Sequence, residues 1–332
     1  MIRPPALRPA PVSLARRHPS TVINYRRCLL LFLKWCDYHG VSFSTPWQLD
    51  DLLVEWQVTN QATKSQFAAA LAAAELGSPT CKGQLNWART VLKDWEITSV
   101  ISHHIPMPKQ LAILIAFGLA VRGRGRLGAG VIFQQAKGLR PSELLSLLPE
   151  HITLPEQQHF GNSPAAVISL GVKTGTKLKR AQAVTVSEQS NPLALFLLRE
   201  LVESTPKGVP MIASITLPQY QKELRIVCEK LGLPPLTPHS PRAGFATDQI
   251  ISGRDFVSVR EEGSWLSDSS LRIYLDQVAV AGQSASEAIG KHNLLIKELT
   301  THCRSLSRLA TKPFPFALPA PQEVPAAAAT VM

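Results

Sequence analysis

Cysteine is sparse in this chain and poorly arranged for chemistry. Five occur in 332 residues (Cys28, Cys36, Cys81, Cys228 and Cys303), an odd number, widely spaced, with no CxxC. That pattern excludes a disulfide framework and a zinc ribbon or finger. It fits free thiols in a reducing, intracellular setting, either a nucleus or a bacterial cytoplasm. The pair His103-His104 has no Cys or carboxylate cluster beside it, so it reads as linker surface and no metal is expected. Long hydrophobic runs are also missing. The longest, Leu111 to Val121, has 11 residues, whereas a bilayer-spanning helix needs about 20. Acidic residues are absent from residues 1–27, which hold six Arg and no apolar stretch of the secretory-signal kind. A basic arm on DNA and a plain disordered tail both fit this segment, and a transit peptide fits it less well. No internal repeat is visible.

What is present is a core-forming chain with a cationic surplus. Hydrophobic residues make up 45% and the formal net charge is +11. The length suits two domains. The charge serves solubility or a polyanion partner, above all nucleic acid. The expected fold is mainly α with a small β-sheet.

The expected domain layout is a basic arm (1–19), a helical domain (20–97), a linker (98–108), a second, larger domain (109–310) and a Pro/Ala-rich tail (311–332). Ser20 caps a helix in which Tyr25, Leu29, Phe32 and Cys36 share a face, with Gly40 at its end. Thr45-Pro46 opens a second helix with Leu49, Leu52, Leu53 and Trp56 inward. Ala-rich 63–76 makes a third. Pro79 is expected to open a fourth, with Trp87, Val91 and Trp95 inward. Pro106 and Pro108 interrupt the periodicity.

Beyond them, helices are expected at 109–121 and 127–137 and near Arg140. The segments "HITL", "AAVISLG" and "AQAVTV" read as strands, and the last two flank a hairpin, "VKTGTKLKR". Helices resume at 192–203, 217–231, 239–252, 268–276 and 284–308.

Four features of the second domain carry chemistry. "GLRPSELLSL" puts Arg140 at a loop-to-helix junction with Glu143 one turn on. "VKTGTKLKR" puts Lys173, Lys177 and Lys179 on the hairpin. "PHSPRAGFAT" supplies His239 and Arg242, three apart. "EGSWLSDSSLRIYLD" holds Trp265 and Tyr274, nine apart. Singly, each has an ordinary explanation: a surface ion pair, solvated lysines, a decorated turn, a core aromatic pair.

Together and in this order they resemble the tyrosine recombinases, or phage-integrase-type site-specific recombinases. That family carries Arg…Lys…His-x-x-Arg…(His or Trp)…Tyr, with a GLRxxELLxL stretch and the same nine-residue interval. The match covers about 138–276, and the bundle at 20–96 resembles the family's SAM-like core-binding domain less specifically. The resemblance implies a mixed α/β catalytic domain that cleaves and rejoins double-stranded DNA through a 3′-phosphotyrosyl bond. It implies no cofactor, neither metal nor ATP, and a homotetramer on paired DNA sites.

The residue types suit that reaction. Two guanidinium groups, Arg140 and Arg242, offer planar paired donors to a phosphate. Trp265 donates an indole N–H where most of the family has His. Tyr274 is a nucleophile that stays attached to DNA, and phenolate is also a good leaving group. The resemblance favours Lys173 as the acid for the leaving 5′-oxygen. His239 would take the Tyr proton or hydrogen-bond a phosphate oxygen. Glu143 would hold the Arg and His side chains in place. Pro241 suits a helix's first turn, which sets His239 and Arg242 at a helix N-terminus favourable to an anion. Gly244 suggests close packing against a neighbouring element.

Arg122, Arg124 and Arg126, with Lys177 and Lys179, are candidate phosphate contacts. Segment 284–308 packs on its own domain or couples subunits. A type IB topoisomerase-like enzyme, a DNA-binding relative without catalysis, and a structural helical protein are the competing readings.

Overall fold

The structure is a computed structural model that describes residues 19–98, 105–158, 164–171, 181–212, 215–269, 271–272, 278–302 and 306. The chain divides into two compact units, Met1–Ser102 and His103–Met332. Both are built mainly of helices, and the second carries a small sheet.

The first unit contains α1 (Pro19–His39), α2 (Pro46–Thr59), α3 (Lys64–Gly77) and α4 (Asn86–Thr98). Phe32, Leu49, Leu53, Trp56, Phe67 and Leu85 form its fully buried centre. Thr45 and Thr63 cap α2 and α3. Each accepts the backbone N–H of the Gln three residues on, and that Gln side chain returns to the Thr N–H. Such reciprocal caps satisfy helix-end donors and contribute about 1 kcal/mol each.

The fourth helix departs from expectation. Pro79 opens only a short 3₁₀ turn, Pro79–Cys81, and α4 starts at Asn86. Its first donors are satisfied from α2: buried Asp50 accepts the N–H groups of Trp87 at 2.8 Å and Ala88 at 2.9 Å. Ala88 therefore faces the core and Trp87 is exposed, the reverse of the inward Trp87 that the spacing suggested.

The second unit is organised around α5 (Lys109–Val121) and α6 (Gly125–Lys137). Leu111, Leu114, Ile115 and Leu119 bury against the same cluster as Leu127, Val131 and Phe133. A short helix, α7 (Pro141–Leu145), follows. Strands β1 (Ile152–Thr153), β2 (Ala165–Leu170) and β3 (Gln182–Ser187) make an antiparallel sheet in that order. The pairs Ile168↔Val184 and Ala166↔Val186 are buried, so one face joins the core. Helices α8 (Pro192–Glu203), α9 (Leu217–Leu231), α10 (Ser240–Ile251), α11 (Phe256–Glu262) and α12 (Val278–Thr301) complete the unit.

Two boundaries and one helix differ from expectation. Met107, placed in a linker by the sequence, is fully buried in the second unit, and its N–H donates to Ser240 O at 2.9 Å. Helix α12 begins at Val278 instead of 284. Helix α11 was not foreseen: it has seven residues, Asp255 caps it by accepting Ser258 N–H, and Val259 alone is buried. No helix among the described residues is long and apolar enough to cross a membrane.

Candidate active site

Lys137 ends α6, and Gly138 terminates it in the left-handed conformation at φ 61°, which glycine adopts without strain. The reversal points Leu139 into the core and delivers Arg140 to the start of α7. Glu143, one turn on, accepts the Arg140 backbone N–H at 2.7 Å and its guanidinium at 2.6 Å. Both side chains are mostly buried, 16% and 13% exposed. This pair is therefore no loose surface contact, and its geometry fixes the direction of the guanidinium.

Arg242 lies in the first turn of α10 and is 4% exposed. Its partners include the carbonyl of Gly138 and that of Gly263 at 2.7 Å. Its guanidinium carbon sits 4.1 Å from the centroid of the Trp265 ring. Trp265 in turn stacks on Phe245, centroids 6.3 Å apart and planes 9° apart. Cation–π attraction of this kind strengthens when the cation is desolvated.

The turn after α11 is what joins the two arginines. Trp265 N–H closes back on Arg260 O at 3.0 Å, and Ser264 takes a positive φ of 56° between them. A left-handed Ser is strained by about 1 kcal/mol. In this conformation the Ser264 carbonyl accepts Arg140 at 2.8 Å. Consecutive carbonyls, Gly263 and Ser264, thus hold one arginine each.

His239 is the half-buried N-cap residue of α10, one turn before Arg242, and Pro241 sits in that helix's first turn. Gly244 has a clear physical reason: a Cβ there would overlap the backbone of Met107. The segment before α5 thus presses directly on α10, as close packing at this glycine required.

Of the sequence-selected residues, Arg140, Glu143, Arg242 and Trp265 are brought into one cluster, with His239 on the same helix start as Arg242. Lys173, Lys177, Lys179 and Tyr274 lie outside the described residues. The Arg122–Arg126 run behaves differently from a free basic loop. Arg122 and Arg124 both bind Glu223, at 2.9 and 3.3 Å. Arg126 donates to Thr205 Oγ1 at 2.6 Å, Met211 O at 3.1 Å and Ser204 O at 3.1 Å. Burial lowers its pKa. Arg126 thus braces the chain just after α8.

Sequence reasoning passed over Lys137, Glu262 and the Gly263-Ser264 carbonyls. Lys137 ends a helix whose other charged residue, Arg126, lies three turns earlier, and a charge among buried neighbours was the available signal. Among the other tyrosines, Tyr220 is fully buried and its hydroxyl donates to Gln134 Oε1 at 2.9 Å. Burial holds its pKa well above the usual phenol range.

No family model matches this sequence, and neither does any curated protein. Solved structures do match. The Tn1549 transposon integrase in complex with circular intermediate DNA aligns at TM-score 0.54 and 13% identity, over 78% of this chain and 90% of that one. The same integrase in complex with transposon right end DNA aligns at TM-score 0.52 and 13% identity, over 83% and 94%. The XerA recombinase aligns at TM-score 0.39 and 16% identity, over 85% and 95%. The mainly helical architecture with its three-stranded sheet is the fold of the Tn1549 transposon integrase.

Proposed function

We propose that this protein is a site-specific DNA recombinase that breaks and rejoins strands through a phosphotyrosyl intermediate. The observation that carries the reading is the pairing of Arg140 and Arg242 on adjacent carbonyls beside Trp265. Two positive, donor-rich groups from separate helix starts converge there, as stabilising a pentacoordinate phosphate requires. The fold and the DNA complexes among its structural neighbours support DNA as the substrate class.

In this reading Tyr274 Oη attacks the scissile phosphorus, forming a 3′-phosphotyrosyl bond as the bond to the 5′-oxygen breaks. Lys173 protonates the departing 5′-oxygen. His239 takes the tyrosine proton or hydrogen-bonds a phosphate oxygen. Trp265 donates its indole N–H to a nonbridging oxygen. Attack by a 5′-hydroxyl of another strand reverses the step and exchanges partners. Glu143 orients Arg140, while Arg122, Arg124, Lys177 and Lys179 add phosphate contacts. The working assembly is a homotetramer on two DNA sites, without metal or ATP.

The test uses nicked duplexes, drawn from DNA flanking the gene and from a randomised pool, in which cleavage releases a short strand and traps the intermediate. Wild-type protein is expected to give a covalent adduct stable to denaturant, and Tyr274→Phe none. No adduct from the wild type overturns the reaction, and an adduct from Tyr274→Phe overturns the nucleophile. A plasmid relaxation assay separates strand exchange from relaxation alone.

A further inference from the structure

Lys137 and Glu262 form an ion pair 2.9 Å long between the last residue of α6 and the last residue of α11. Lys137 is only 6% exposed and Glu262 23%. Arg254 also donates to Glu262 and reaches out to Gln249 Oε1 at 2.8 Å. Burial opposes ionisation of Glu262. The hydrogen bonds and charges of Lys137 and Arg254 outweigh it and hold the carboxyl below its usual range.

To be favourable, the pair must offset two opposing effects. A lysine is seldom buried, because desolvating an ammonium must be offset by its partner. A carboxylate at a helix C-terminus faces the negative end of the helix dipole. The sequence neighbours of the pair supply the compensating role. Gly138, which follows Lys137, and Gly263, which follows Glu262, provide the two carbonyls that hold Arg242. Ser264, the next residue, provides the carbonyl that holds Arg140.

We propose that the Lys137–Glu262 pair positions the two arginines, by fastening together the chain segments whose carbonyls grip them. Neither side chain touches DNA in this scheme. The pair acts through Gly138, Gly263 and Ser264. The proposal rests on the recombinase reading for its consequence, since a displaced guanidinium matters only if it must meet a phosphate.

Single-turnover formation of the covalent adduct and noncovalent DNA affinity are measured on the duplex that the wild type cleaves. Lys137→Met is expected to slow adduct formation on the order of 100-fold, as loss of alignment does, with affinity within about threefold. Lys137→Arg keeps the charge and is expected to restore most of the rate. The double variant Lys137→Met/Glu262→Gln is expected to be no slower than the slower single variant, because both break one link. A Lys137→Met rate within twofold of wild type overturns the proposal, and so does a loss of rate matched by an equal loss of affinity.

A second readout needs no cleavage. The emission of Trp265, taken as the difference between each protein and its Trp265→Phe counterpart, is expected to change in Lys137→Met and to return in Lys137→Arg. If the wild type forms no adduct, the recombinase reading fails. The emission then decides the structural role of the pair: unchanged in Lys137→Met, it overturns the proposal on its own.

Discussion

Arg140 and Arg242 donate to the carbonyl oxygens of adjacent residues, Arg140 to Ser264 at 2.8 Å and Arg242 to Gly263 at 2.7 Å. A single turn therefore sets the spacing of two guanidiniums that enter the sequence about a hundred residues apart. The arrangement depends on a planar fork with several donors, which lysine lacks. Arg242→Lys is expected to lose the Gly138 and Gly263 contacts together and to slow adduct formation by about 10²–10³-fold. Two buried carbonyls left without a donor are expected to cost about 1–3 kcal/mol each at most in unfolding free energy. Quenched single-turnover assays and urea denaturation check the two parts separately. A lysine variant with wild-type rate would remove Arg242 from the clamp.

Gly244 makes a sharper prediction about stability. A methyl group there meets the Met107 backbone, whose N–H is itself bonded to Ser240 O at 2.9 Å. Backbone held in this way does not yield as a flexible side chain does. Gly244→Ala is expected to destabilise the second unit by about 3 kcal/mol, at the upper end of ordinary overpacking. It should also slow cleavage, because the shift falls on the helix that carries His239 and Arg242. Denaturation followed by near-ultraviolet dichroism gives the first quantity. A variant as stable as wild type would show that the segment before α5 does not press on α10.

What was legible in the sequence was local. Thr45-Pro46 marks a helix start, realised with the Gln48 side chain closing back on the Thr45 N–H, and the structure repeats that cap at Thr63 and Thr216. The strand alternation in "AAVISLG" and "AQAVTV" likewise predicts the β2–β3 pairing. What escaped depended on distant partners. Trp87 turns outward because Asp50 of another helix sets where α4 begins. Helix α11 buries one side chain, Val259, so it has no apolar period to find. Arg126 lies in a basic run that suggests phosphate, and the run does not announce its partners some 80 residues on. In the candidate site, motif order led to Arg140, Glu143, Arg242 and Trp265. The carbonyl frame that spaces them has no side-chain signature, and the Lys137–Glu262 link joins residues 125 apart.

Asp248 gives a prediction with a pH sign. From α10 it accepts Lys109 N–H at the start of α5 at 2.9 Å and the Gln135 side chain of α6 at 2.7 Å. Burial raises its pKa despite those donors. A carboxyl whose folded pKa lies above its unfolded value binds more protons when folded. Its effect on stability is least adverse below the unfolded pKa, and stability falls as pH rises from there through the folded pKa. Asp248→Asn keeps an acceptor for both donors and removes the titration. Relative to wild type, the Asn variant is expected to gain stability as pH rises from about 4 to 7. Asp248→Ala strands both donors and is expected to lose about 1–3 kcal/mol across the range. Urea unfolding at several pH values checks all three proteins. A wild-type–Asn difference that does not change with pH would remove Asp248 as a titrating group.

Tyr220 supplies the control that a single tyrosine variant cannot. Its hydroxyl is fully buried and spent on Gln134, whose amide in turn donates to Pro238 O at 2.7 Å, just before His239. Tyr220→Phe leaves Gln134 Oε1 without this donor and is expected to cost about 1–2 kcal/mol of stability. The covalent adduct should nevertheless form, because a phenol locked in the core reaches no phosphate and burial holds it protonated. Loss of adduct in Tyr220→Phe at a temperature where the variant is folded would point to the Gln134–Pro238 link as a support for His239. A normal adduct in Tyr220→Phe, set beside none in Tyr274→Phe, assigns the covalent bond to Tyr274. Mass mapping of the DNA-linked peptide checks that assignment directly.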